Sequence, residues 1–391
     1  MWLAAILAIG ILTLWVPDRW ALSVFQVALF ALVAVRIVQR RLLTLPLAAW
    51  MLAGAAAWGV LQVATGWSVD RVTTLDAVLS WLTNLAAFML AADLYRNADR
   101  RERFLRSTLI FATTLAVASI FTFLTSPAGK VFWIFDSGSE SRTLGPFLYQ
   151  NQYATFVEAV LPFGILGVIG DRRRWLLYAI IVATLFGSVV TGGSRAGTIL
   201  CLAEILLMPT IAFGRGMING KMLAQVVLGS LAAVAVLTGV VGWEPLWKRL
   251  QEPHPYSLRK DLVLSSIAMV RDRPLTGFGL GTWPEAYPGY ARFDDGTYVN
   301  QAHNDWIQWT AEGGLLFLAA MLAIAAWSVG PAVRSLWGVG ILSVWLHALI
   351  DYPMQQRPAL AAFFFALLGT LEPLARRTTR EQLRGGVLID N

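Results

Sequence analysis

Long apolar runs separated by short polar connections fill most of the chain, and their lengths decide what they are. A hydrocarbon core about 30 Å thick takes roughly 20 helical residues, fewer or more if a helix is short or tilted. Runs of that order fall at 2–16, 20–35, 42–64, 74–93, 104–125, 148–170, 175–191, 197–213, 222–242, 305–329, 335–352 and 358–374. The pattern predicts an all-α polytopic membrane protein with about 12 transmembrane helices, although the first two runs are short enough to form one re-entrant hairpin instead. One stretch departs from it. Residues 243–304 lack the membrane pattern and collect Arg259, Arg271-Asp272-Arg273-Pro274, Gly277-Phe278-Gly279-Leu280-Gly281 and Gln301-Ala302-His303-Asn304-Asp305. Their aromatic and apolar content argues for a folded cap over a site and not for disorder. The chain thus divides into helices 1–9 with short loops (1–242), the large loop (243–304), helices 10–12 (305–374) and a basic tail (375–391).

Composition agrees with a bilayer and narrows the partners. Only 14% of residues are charged and the mean hydropathy is +0.60, whereas soluble domains carry about a quarter charged residues. A net charge of +7 is compatible with nucleic acid, but the basic residues fall in short clusters between apolar runs, as the positive-inside rule distributes them. No nucleic acid is expected. Arg36, Arg40 and Arg41, the five arginines between Arg96 and Arg106, Arg172 to Arg174, Arg215, Lys221, Arg334 and the tail arginines lie on one side, so both termini are expected in the cytoplasm and the large loop outside. The apolar N-terminus lacks a basic start and a small-residue cleavage site, and reads as a retained helix. The single cysteine, Cys201, excludes an intramolecular disulfide and reads as a packing residue.

Candidate chemistry gathers on the same outer side. Gly192-Gly193-Ser194-Arg195-Ala196-Gly197 sets an arginine in a glycine-rich turn where a helix begins. That suits a phosphate, and equally suits a tight turn whose arginine reaches lipid headgroups. No Gly-Lys-Ser/Thr follows, so it is not a nucleotide loop. A helix from Tyr256 to Arg273 is expected to pack, with Leu258, Leu262 and Met269 on one face. Taken alone, Arg259 near its start reads as snorkelling to a headgroup. Gly277-x-Gly279-x-Gly281 reads as a turn. His303, one of three histidines, stands where the cap re-enters the membrane, either as a base for a hydroxyl or as an interfacial histidine bonded to a loop carbonyl. Asp305-x-x-Gln308 reads as a helix capping box, and Asp305, Gln308 and Glu312 share one helix face. Asn151, Thr155 and Glu158 form a similar stripe, and Glu204 stands within a span. Such groups should face the bundle interior.

Together these residues resemble the bacterial O-antigen ligase and O-antigen polymerase family. The ordered set is Gly145-Pro146-Phe147 with Asn151-Gln152-Tyr153-Ala154, Gly193-Ser194-Arg195-Ala196-Gly197, Arg259 followed by Arg273-Pro274-x-x-Gly277-x-Gly279, His303-Asn304-Asp305-x-x-Gln308-x-x-x-Glu312-x-Gly314, and His347-x-x-x-Asp351-Tyr352-Pro353. It covers about 140–358; the segment before it resembles nothing in particular. The resemblance implies a C-type (GT-C) glycosyltransferase bundle in the bacterial inner membrane with a periplasmic catalytic loop. Such an enzyme takes a glycan from undecaprenyl diphosphate, passes it with inversion to a hydroxyl of lipid A–core or a growing glycan, and uses no cofactor and no metal. It implies Arg195 and Arg259 as diphosphate-binding residues and His303 as the residue that activates or positions the acceptor. Arg142, Asn151, Ser194, Arg273, Asn304, Asp305 and Gln308 become substrate-binding candidates. Membrane lipids are the other expected partners. Ligation is favoured over polymerisation, and a flippase for lipid-linked sugars is the alternative from another class, which would show broken helices and a midplane site.

Overall fold

A computed structural model describes residues 2–39, 45–138, 140–251, 257–293, 296, 298–355 and 357–375. The chain is almost wholly helical: α1 (Trp2–Leu12), α2 (Arg19–Val38), α3 (Leu47–Thr65), α4 (Arg71–Leu94), α5 (Ala98–Thr125), a hairpin of β1 (Lys130–Val131) and β2 (Phe135–Asp136), α6 (Gln150–Gly170), α7 (Trp175–Gly192), α8 (Arg195–Gly214), α9 (Gly220–Val241), α10 (Glu244–Leu250), α11 (Ser257–Asp272), α12 (Trp283–Ala286), a 3-10 turn (Tyr287–Tyr290), α13 (Asp305–Ser335), α14 (Val339–His347) and α15 (Pro358–Gly369). Each predicted run contains a helix, and five of the starts are set by polar caps: the side chains of Asp70, Asn97, Ser194, Asn219 and Asn304 accept from the first free N–H groups of α4, α5, α8, α9 and α13.

Among the described residues nine helices are long and apolar enough to cross a membrane, which makes this a multi-pass membrane protein. The expected count of about 12 goes beyond these nine. α1 has 11 residues and α14 has nine, while α9 runs for 22 residues over Gly220–Val241. The run expected at 335–352 shortens for a local reason. Leu336 takes a left-handed φ of 61° that ends α13, and after His347 the chain turns back on itself, with Ile350 and Asp351 N–H both bonded to the His347 carbonyl before Pro353. The basic tail from 376 onward, like Tyr256, lies outside the described residues.

Two helices hold the bundle together. α6 packs against α5, α7, α8 and α14, and α4 is clasped between α3 and α15. Beside α4, Trp81 and rings of α13, α14 and α15, namely Trp309, Phe317, Trp345 and Phe365, join edge to face. The segment 257–302 has a smaller core of its own, in which Leu262, Met269, Phe278, Trp283 and Tyr287 pack with Ala302 and Ala311. The predicted packed helix is present as α11, but Leu258 is not part of its buried face and is 48% exposed.

α13 is broken, and the break fastens this segment to the bundle. Gly314 has φ 75° and ψ −178°, so the helix direction jumps there. The residues after Arg273 run into the gap: Phe278 N–H bonds Ala311 O at 3.0 Å, Gly279 N–H bonds Glu312 O at 2.9 Å, and Leu315 N–H bonds Pro274 O at 2.8 Å. Backbones come so close that a Cβ on Gly277 would sit 2.2 Å from Glu312 O, and one on Gly314 2.2 Å from Leu275 O. Gln62 of α3 completes the joint. Its amide donates to Thr276 O and Glu312 O and its oxygen accepts from Leu280 N–H, so a fully buried glutamine gives Thr276 O and Leu280 N–H their partners and adds a second bond to Glu312 O. The glycine run is thus a turn, as expected.

Candidate active site

Five elements bring polar side chains to one end of the bundle, and Asp351 is their centre. Its Oδ2 accepts from the Tyr149 hydroxyl at 3.1 Å, from Arg259 Nη2 at 3.1 Å and from the Asn151 amide at very close range, while Oδ1 accepts from Tyr352 N–H at 2.9 Å. His303 Nδ1 stands 3.5 Å from Oδ1, long for a hydrogen bond but close for a charge. Burial works against the Asp351 charge, yet His303 and Arg259 together bring its pKa down to about 2. A carboxylate so ionised, with each oxygen engaged, is a fixed anion. It orients neighbours and is a poor proton acceptor.

Arg259 is held on its other side as well, by Nη1 donating to Ile350 O at 2.7 Å. Sequence alone favoured a snorkelling side chain; the Asp351 carboxylate instead turns the guanidinium into the cluster. Around it the Tyr149 and Tyr352 rings stack at 5.4 Å, nearly parallel, and His303 stands edge-on to Tyr352 at 4.8 Å. Burial and the neighbouring Asp351 charge both push the two phenols' pKa values up, so they serve as donors and walls and not as phenolates. The His303 backbone has a left-handed φ of 51°, a strained value for a residue with a Cβ, which Asn304 follows by capping α13.

Arg195 is reached through a short chain of bonds. The Ser194 hydroxyl donates to Asn151 Oδ1 at 2.8 Å while accepting from Gly197 N–H, and Asn151 donates onward to Asp351. The next residue, Arg195, opens α8 and donates to Arg249 O at 2.8 Å on α10. The first turn of α8, the start of α6 and the end of α14 are therefore tied together, as the glycine-rich turn required. Underneath, inside the bundle, the fully buried Glu158 and His347 bond each other at 2.7 Å, with Thr155 at 3.4 Å from the same ring nitrogen. The stripe Asn151, Thr155 and Glu158 does face the interior.

Other candidates have structural tasks. Arg142 donates to Phe123 O and lies over the Phe123 ring. Arg273 donates to Trp67 O at 2.9 Å and covers Phe278, pinning the broken-helix joint to the α3–α4 turn. Asn304 bonds Leu349 O in addition to its capping bond. Asp305 is not the helix cap: Asn304 is, one residue earlier, because Asp305 is buried and accepts from Met354 N–H at 2.9 Å. Gln308 faces Ala302 N–H and Glu312, not the Asp305 backbone, so no capping box forms. Asp351 and Tyr352 were quoted only as part of the last motif of the ordered set, and neither they nor Tyr149 was given a role. The available signal was Asp351 itself, a carboxylate ending an apolar run in a chain whose arginines needed a counter-charge. No group of three or more His, Cys, Asp and Glu that would hold a metal occurs among the described residues.

Residues 179–322 match the family model described as O-antigen ligase, from α7 to the broken helix α13, and include Arg195, Arg259 and His303. Over that stretch the chain is O-antigen ligase-like. No curated protein matches it.

Proposed function

We propose that this O-antigen ligase-like membrane protein is a metal-independent, inverting glycosyltransferase that moves a glycan from undecaprenyl diphosphate to a hydroxyl of lipid A–core on the periplasmic side. The observation that supports the reading most is the meeting of Arg259 and His303 at an ionised Asp351, with Arg195 next to Ser194, whose bond to Asn151 leads on to the same carboxylate. Arg259 and Arg195 hold the diphosphate with paired N–H donors and take up charge as it departs. The acceptor hydroxyl, aligned by His303 and the Tyr149–Tyr352 wall, attacks the anomeric carbon from the face opposite the diphosphate. The carbon–oxygen bond to phosphate breaks as the new bond forms, its electron pair leaves with the diphosphate, and the hydroxyl proton passes to His303 and then to water. Asp351 keeps the imidazole and the guanidinium in place throughout.

A transporter reading draws one specific observation, the broken α13. Yet the break is filled by residues 274–281 and Gln62 and leaves no open midplane site there. Polymerisation of glycan repeats would use the same groups on a different hydroxyl. Arg195→Lys and Arg259→Lys test the transfer reading, because each keeps charge and loses the fork. In a membrane assay with purified lipid-linked glycan and lipid A–core, at equal protein level, each should fall by about 100-fold. Near-normal transfer by both variants returns these arginines to headgroup contacts, and chain growth without ligation assigns the protein to polymerisation.

A further inference from the structure

A second cleft opens at the same end of the bundle. It lies between the α1–α2 turn and the start of α15, encloses about 160 Å3, and has apolar walls that include Leu14, Pro17, Phe25 and Pro358. Two lining residues carry opposite charge, Asp18 and Arg357, and no ion pair joins them. Arg357 makes no side-chain hydrogen bond or ion pair among the described residues; its charge is felt by Tyr352, which stacks on Tyr149 in the Asp351 cluster. Arg357 is half-buried and Asp18 exposed at the cleft mouth, and burial pulls the Arg357 pKa below its ordinary value. Asp18 precedes α2, yet its side chain does not cap that helix. The third charged residue of the cleft, Arg19, is already joined to Asp76.

We propose that this cleft is a subsite for a headgroup carrying both a phosphate and a primary ammonium, with the phosphate on Arg357 and the ammonium on Asp18. The charges select this class. A simple anion would gain Arg357 and meet Asp18, and a simple cation would do the reverse. A trimethylammonium has no N–H to give the carboxylate, whereas a primary ammonium has three. The apolar walls suit the first methylenes of an attached lipid chain. Such a headgroup belongs to an amino-phospholipid of the bilayer or to an acceptor amphiphile bearing the same two groups. The inference does not rest on the transfer reading, because it concerns binding alone.

The full-length protein in nanodiscs of equal parts phosphatidylethanolamine, phosphatidylcholine and phosphatidylglycerol, followed by mass measurement of the lipids it retains, tests this. Phosphatidylethanolamine should be enriched over both others by about tenfold, the scale of one charge-assisted hydrogen bond. Arg357→Gln and Asp18→Asn should each abolish the enrichment, and Asp18→Arg, which leaves two unpaired cations, should turn the preference to phosphatidylglycerol. Arg357→Lys keeps the charge and should keep the preference, so it controls for a glutamine variant that fails to fold. Displacement of the retained lipid by purified acceptor assigns the subsite to the acceptor; lack of displacement assigns it to bilayer lipid. Equal retention of all three lipids, or enrichment that survives in both Arg357→Gln and Asp18→Asn, overturns the proposal.

Discussion

Asp351→Asn keeps the side chain's shape and removes one charge, so it isolates what the anion at the centre of the cluster does. The ordinary carboxyl value of 3.8 falls to about 2 in the fold, with burial opposing and His303 and Arg259 favouring the charge. That shift corresponds to ~2 kcal/mol in favour of the ionised form. Because the folded value is the lower one, this stability is fully present above 3.8 and fades only as pH falls towards about 2. Asparagine forfeits it at every working pH. Its single oxygen can go on accepting from Asn151, Tyr149 and Arg259 only with the N–H2 group in the Oδ1 place, where it faces the Tyr352 N–H donor. Leaving donors facing donors at a site only 2% exposed brings the expected loss to about 2–4 kcal/mol. With Arg259 and His303 no longer held, transfer should fall by about 100-fold. The checks are thermal melting and single-turnover transfer at pH 5 to 8, alongside Arg259→Gln and the double variant. The two single losses should be strongly non-additive, and the gap between Asp351→Asn and parent should be flat across that range. A variant that melts with the parent and transfers within a few fold of it refutes the reasoning, as does a step in the gap near neutrality.

The remaining expectations concern topology, the base and the joint. With the cap outside, an impermeant thiol reagent on intact cells should label Gly289→Cys in the cap and not Gly170→Cys at the other end, both positions having room for a side chain; equal labelling reverses the orientation. His303→Asn, which tolerates the left-handed backbone better than alanine, should melt like the parent and lose roughly 100- to 10,000-fold in transfer; turnover within a few fold makes His303 structural. Gln62→Leu strands Thr276 O and Leu280 N–H, while Glu312 O keeps its bond from Gly279 N–H, and should lower stability by about 2 kcal/mol or more, read as early loss of α13 amide protection in hydrogen exchange; unchanged protection means that the joint does not depend on Gln62.

Helices were legible because membrane spans repeat one simple pattern, and the packed character of the cap was legible from aromatic and apolar residues in a loop. Helix length was less so, since α14 and α1 are as apolar as the long spans but shorter, and apolarity does not report where Leu336 or His347 turns the backbone. The arginines and His303 stood out as isolated charges. Arg142 and Arg273 stood out equally, and only coordinates show that a carbonyl and an aromatic face already occupy them. Asp351 lies 48 positions beyond His303 and 92 beyond Arg259, so its role depends on a meeting of distant segments. Gln62 is the extreme case, an ordinary residue in an apolar run whose partners are more than 200 positions away.

The Arg259–Asp351 pair has a consequence for turnover as well as for placement. An arginine that already faces a carboxylate gives an arriving anion only part of its attraction, because the newcomer must share or displace an anion that never leaves. Asp351 behaves as a resident competitor at a concentration no ligand can match. In the proposed transfer its cost would fall on donor affinity, and its benefit would come afterwards, when the released diphosphate carries more negative charge than the donor did and would otherwise cling to the site. A protein whose arginine had no such competitor would bind its donor more tightly and be slowed by its own product.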